Sequence, residues 1–209
     1  MSRRSLRWVL PIAALLALAG VYGPWVNHAV AGLVITGLDL GEYVKFLPQV
    51  RSGEIVLWRE GFYLPLFAVS LTLSLHAFRS EFAYHWLVRA VLVVMAGVAA
   101  LNMLPPAWSP PLLVTPEFRL QTAAIAMCLG ALLISPMLAL LPRFAVGVIC
   151  AVLAAAAIWW PVSGFVRVLE SISMVYQHDL APGWGMYTLV IGLVLLGGVS
   201  LINGIGRER

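Results

Sequence analysis

Apolar positions along this chain fall into six long uncharged runs, and charged positions are confined to what separates them. The runs are Trp8 to Leu38, Gly61 to Phe78, Ala90 to Pro116, Leu120 to Pro142, Phe144 to Val166 and Leu180 to Gly206. Each has at least roughly the 18 residues that cross a hydrocarbon core about 30 Å thick. Lipid offers backbone groups no partner, so such runs must satisfy their own hydrogen bonds as helices. The pattern predicts an all-α, polytopic membrane protein, a single bundle over residues 1–209 with amphipathic helices at its outer interface. Six transmembrane helices are expected at about 8–27, 61–78, 87–104, 116–141, 144–162 and 184–204. The basic start MSRRSLR before WVLPIAALLALAG also has the outline of a signal peptide. No convincing small-x-small cleavage site follows in VYGPWV, so this segment is read as a retained first span.

Two stretches between the runs have helical periodicity with one wet face, at about 37–58 and 163–178. In the first, Thr36 and Asp39 have the spacing of a capping box. Leu40, Tyr43, Val44 and Leu47 then recur at i, i+3, i+4 and i+7, with Asp39, Glu42, Lys45 and Gln49 opposite, until Pro48 stops the helix. Such a helix is expected to lie flat in the outer interface of the lipid bilayer, apolar face down. In the second stretch, Phe165, Val166, Leu169, Ile172 and Tyr176 form one stripe. Ser163, Arg167, Glu170, Ser171 and His178 form the other, with Arg167 and Glu170 spaced to pair. Pro161 is expected to kink or end the span before it. The connection LPPAWSPPLLVTP is stiff and extended, with Thr115 expected to cap the next helix, Pro116 at its first position and Glu117 in its first turn.

Composition places the chain outside the soluble class: 62% hydrophobic and 11% charged over 209 residues, against about half and about a quarter in soluble domains. Lysine and arginine placement sets orientation. With the N-terminus inside, Arg3, Arg4, Arg7, Arg79, Arg89, Arg143, Arg207 and Arg209 face in, against Glu81 and Glu208. Lys45, Arg51, Arg59, Arg119 and Arg167 face out, with seven acids. Both termini are therefore expected in the cytoplasm of a prokaryotic inner-membrane protein. The net charge of +4 is an insertion signal, and no nucleic-acid partner is expected.

Candidate chemistry is sparse. The two cysteines, Cys128 and Cys150, fall inside expected helices and form no C-x-x-C pair. No span carries a charge near its centre, which argues against a proton- or ion-coupled transporter. His28 and His178 are expected outside, His76 and His85 at the inner interface; either pair could ligate haem or a metal. No H-x-x-x-H or Cys/His cluster accompanies them, and no cofactor, metal site or catalytic residue is assigned. The charged outer surface comprises Asp39, Glu42, Lys45, Arg59, Glu60, Arg167, Glu170 and Asp179. Gly147, Ala151 and Ala155, with Gly192 and Gly197, are spaced for close helix packing.

Six spans, both termini inside and an outer amphipathic segment between spans five and six resemble, in plan, the membrane subunit of an ABC-2-type exporter. That resemblance implies a separate ATP-binding subunit. The chain departs from the plan in lacking a long amphipathic helix before its first span, and in the shortness of RSEFAYHW where a coupling helix is needed. The reading that asks least of the sequence is a non-catalytic subunit or scaffold of a larger membrane complex, binding other subunits through its outer face. An outer-face enzyme or haem- or metal-binding protein is the remaining expectation.

Overall fold

The computed structural model describes residues 3–28, 30 and 33–206, with the side chains of 3–6 left aside. Arg3, Arg4, Arg207, Glu208 and Arg209, which enter the orientation count above, lie outside the described residues or side chains. Among the described residues the regular structure is helical apart from one small ribbon. Its helices are α1 (Arg3–Tyr22), α2 (Gly37–Tyr43), α3 (Pro48–Arg51), α4 (Leu64–His76) and α5 (Trp86–Leu101). There follow α6 (Pro110–Leu113), α7 (Arg119–Leu133), α8 (Ser135–Leu138), α9 (Arg143–Tyr176) and α10 (Trp184–Ile205).

Leu10, Ala13, Ala14, Ala17 and Val21 recur every three or four residues along α1 and are all buried. That stripe packs against α10, and α10 packs in turn against α9. The approach is close because α10 offers glycine: a Cβ at Gly192 would lie 2.3 Å from the backbone nitrogen of Ala17. Gly147 meets the Ser200 carbonyl, and Gly197 meets Ala151 and Ala154. Ala155, the last of the small-residue series, is exposed.

α4 sits at the centre, touching α1, α5, α7, α9 and α10. It is buried nearly all round, including Ser70, Thr72, Ser74 and His76. Ser74 donates to the Ser70 carbonyl at 2.9 Å, and Ser135 donates to the Ser74 carbonyl. The Ser74 hydroxyl and the Ser70 and Ser74 carbonyls are thus answered by protein, whereas the buried Ser70 hydroxyl has no hydrogen-bond partner.

Among the described residues, only α9 and α10 are long and apolar enough, by length and composition, to cross a membrane. The other apolar runs are broken into helix and turn. A 3-10 turn, Arg59–Tyr63, precedes α4. α7 stops at Leu133, where Pro136 lacks the N–H that would continue the ladder to Leu132. α7 also begins late. Thr115 does not cap it; its hydroxyl donates to the Leu112 carbonyl at 2.7 Å, and the helix opens at Arg119.

Two expectations about the amphipathic stretches need correction. Pro161 does not end the span: α9 runs unbroken for 34 residues with Pro161 buried inside it. A proline in a long helix removes a single ladder bond, and here the packed residues on both sides of it hold the helix together. In the first stretch the Thr36–Asp39 capping box forms. Its apolar face, however, does not lie on lipid. Leu40, Val44 and Leu47 are fully buried in the protein core and Tyr43 is half-buried. α2 passes into a 3-10 turn, Val44–Phe46, and Leu47 is extended because the residue before Pro48 avoids the helical region.

What lets α2 dock is a ribbon that the helical pattern concealed. Pro24–Val26 pairs antiparallel with Ile35–Thr36, and Val26 bridges to Pro182. Trp25 is buried beneath the ribbon and donates from Nε1 to the Gly20 carbonyl at 3.0 Å. The ribbon, α2, α3, the 102–118 connection and the last turns of α9 together form a cap on one end of the bundle.

The far end is tied differently. Arg79 is buried, donates to the Leu141 carbonyl at 2.7 Å and lies 3.8 Å from Glu81. Glu81 also pairs with Arg143. Tyr84 donates to the Arg7 carbonyl at 2.6 Å, so the loop after α4 is fastened to three other segments.

Candidate functional site at the cap

Charges from three distant segments converge beside the N-terminal end of α4. Glu42 and Lys45, on α2 and the turn after it, are paired. Arg59, in the turn before α4, lies 2.8 Å from Glu117 and 3.5 Å from Glu60. Its guanidinium also donates to the Glu117 carbonyl at 3.2 Å. Lys45 reaches the same Glu117 carboxylate at 3.9 Å, and Tyr63 donates to Glu42 at 3.2 Å. Burial alone would lower the Arg59 pKa. The Glu117 hydrogen bond and the fields of Glu60 and Glu42 outweigh it and raise the pKa further, so the guanidinium is a fixed cation.

Directly below this cluster an apolar groove of about 210 Å³ opens between α4 and α7. Trp58, Glu60, Tyr63 and Gln121 stand at its cluster end; Phe67 and Ala124 line its depth, with the exposed Met127 at its rim. Gln121 is only 3% exposed. Its amide nitrogen donates to the Met103 carbonyl, and its Oε1 has no hydrogen-bond partner.

A second cluster joins the two outward histidines. The rings of His28 and His178 stack with centroids 5.7 Å apart, and Tyr176 meets His28 edge-on at 5.5 Å. Tyr176 donates to the Leu33 carbonyl at 2.7 Å, fastening the ribbon loop to the end of α9. Burial raises the pKa of the Tyr43 and Tyr176 phenols, which stay neutral donors. One nitrogen of each imidazole is engaged: His28 Nδ1 accepts from the Val30 amide, and His178 Nδ1 meets the Asp179 carbonyl. Among the described residues no three His, Cys, Asp or Glu side chains form a metal-holding group.

The other histidine pair separates. His76 is buried with Nδ1 on the Thr72 carbonyl at 2.8 Å, whereas His85 is exposed and caps α5. Of the outer charges, Glu42, Lys45, Arg59 and Glu60 converge. Asp39 is occupied by the capping box; Arg167, Glu170 and Asp179 are exposed along the end of α9 and beyond it. Arg167 and Glu170 do not pair.

Glu117, Tyr63 and Gln121 were not singled out from sequence. Glu117 appears there as a helix-start residue. Gln121 alone had a readable signal, as an uncharged polar residue in the first turn of an otherwise apolar helix. No protein-family model matches this chain, and no curated protein or solved structure matches it.

Proposed function

We propose that this chain is an integral protein of a prokaryotic inner membrane, crossing it six times with both termini in the cytoplasm. It serves as a non-catalytic subunit that holds partner proteins through its cap. The observation that carries this reading is the cap's surface. Phe46, Val56, Trp108 and Val114 project among its charged residues, with exposures from 55% to 81%. Large apolar side chains left exposed among charges are what a partner's surface would cover.

The length of α9 supports the same view. Its 34 residues span about 51 Å, against a hydrocarbon core of about 30 Å. The last turns therefore stand clear of the bilayer with the cap. The short spans are compatible with lipid because α4 is enclosed by its neighbours, so its flanking turns meet protein. The groove between α4 and α7 opens on the flank of the bundle.

Native mass spectrometry of the tagged chain, gently extracted from its own membrane, tests the proposal. A stoichiometric complex with another membrane or outer-face protein is expected. Recovery with an ATP-binding protein would replace it with the exporter-permease reading. A chain recovered alone, with or without haem, would overturn the subunit reading and favour an outer-face enzyme or cofactor protein.

A further inference from the structure

We infer that the groove between α4 and α7 holds one acyl chain of a zwitterionic membrane lipid whose headgroup ends in a primary ammonium, as in phosphatidylethanolamine. This rests on the membrane-spanning reading proposed above. The groove's accessible surface is almost wholly apolar, as an acyl chain requires. Glu60, Tyr63 and Gln121 mark one end, and Phe67, Ala124 and Met127 the other. From Leu120 to Met127 it follows eight residues of α7, about 10 Å of helix. That length accommodates the upper part of one chain.

The head end is specific in two ways. The adjoining cluster is mixed in sign: Lys45 and Arg59 offer two cations to three carboxylates, Glu42, Glu60 and Glu117. A zwitterion answers both, its phosphate toward the cations and its ammonium toward the excess acid. An anionic headgroup meets the net negative charge of the cluster, and a choline headgroup brings no N–H. The buried Oε1 of Gln121 independently lacks a donor at the same end. Buried side-chain oxygens are ordinarily satisfied, and an ammonium carries three N–H groups with which to do so.

The test uses the full chain reconstituted into lipid nanodiscs. These contain equal parts of phosphatidylethanolamine, phosphatidylcholine and phosphatidylglycerol of matched chains, and retained lipid is read by native mass spectrometry. The expected result is one retained phosphatidylethanolamine, favoured about tenfold, the worth of one charge-assisted hydrogen bond. Ala124→Trp, which fills the groove, should abolish retention with the thermal melt unchanged; if that variant misfolds, Met127→Trp at the exposed rim gives the same readout. Glu60→Gln should reduce the headgroup preference while leaving a lipid bound.

Equal retention of the three lipids would overturn the inference. So would a folded protein that keeps none, or a filled groove that retains lipid undiminished. A chain that does not enter the nanodisc would overturn the membrane reading itself, an outcome distinct from entry without retention.

Discussion

Replacing Leu40 by alanine truncates a side chain with 0% exposure, wedged among core residues beside Val44 and Leu47. Buried leucine truncations of this kind cost about 3 kcal/mol, since the transfer term is joined by a cavity that the neighbours only partly close. The same change on a helix resting in the lipid interface would cost about 1 kcal/mol, because lipid flows into the gap and only part of the side chain was covered. The two cases separate at Arg51, which is exposed just beyond α2 on α3. At low trypsin, cleavage there follows the population of the undocked segment. A cost of about 3 kcal/mol raises that population, and the cleavage rate, roughly a hundredfold. Phe46→Ala, at a 67% exposed position two residues before Arg51's helix, serves as the control. Its rate should stay within about twofold of the parent, as for surface changes in general. Cleavage of Leu40→Ala no faster than Phe46→Ala would refute the docking of α2 into the protein.

Two further outcomes follow from the packing and from the proposed topology. Gly192→Ala should lower the thermal melt in detergent by the equivalent of about 3 kcal/mol, because its new Cβ would press on the Ala17 backbone; Gly198→Ala, which meets nothing within 4 Å, should hold or gain stability. For topology, both native cysteines are buried, so introduced thiols report against a quiet background. Ser52→Cys should react with an impermeant maleimide in intact cells and Ser80→Cys only after lysis; the reverse pattern would invert the proposed orientation.

Helical content was legible because apolar runs are the strongest signal a sequence carries, and α10 lies close to its expected bounds. Helix length was less legible. Hydropathy reports which residues avoid water, not whether protein or lipid replaces it. α4 and its preceding turn read as one span, although a 3-10 segment and a core helix share that run. The buried Ser70, Thr72 and Ser74 were visible in the sequence. Their spacing reads as neutral until Ser135, far along the chain, supplies a partner hydroxyl.

The cap shows why periodicity identifies a face but not what covers it. Leu40, Val44 and Leu47 have the spacing of a buried stripe, and that stripe is buried. What sequence could not reveal was the ribbon at Pro24–Val26, three residues long and joined to α10 through Pro182. Without it the natural neighbour for α2 is lipid; with it, Trp25 and the ribbon supply protein.

The candidate site follows the same logic at greater range. Arg59 and Glu117 are 58 residues apart, and each alone is an ordinary waterline charge. Their pairing needs the chain to return from the far end of α5 through the 102–118 connection to the start of α4. That proline-rich connection is not the extended spacer its prolines suggest; it folds into turns around α6. A flexible loop would let Glu117 range over solvent, where an exposed ion pair is worth little. One held by prolines and by the Thr122 hydroxyl on the Leu113 carbonyl presents Glu117 to Arg59 and Lys45 together. The cluster is thereby fixed above the groove rather than scattered along the surface.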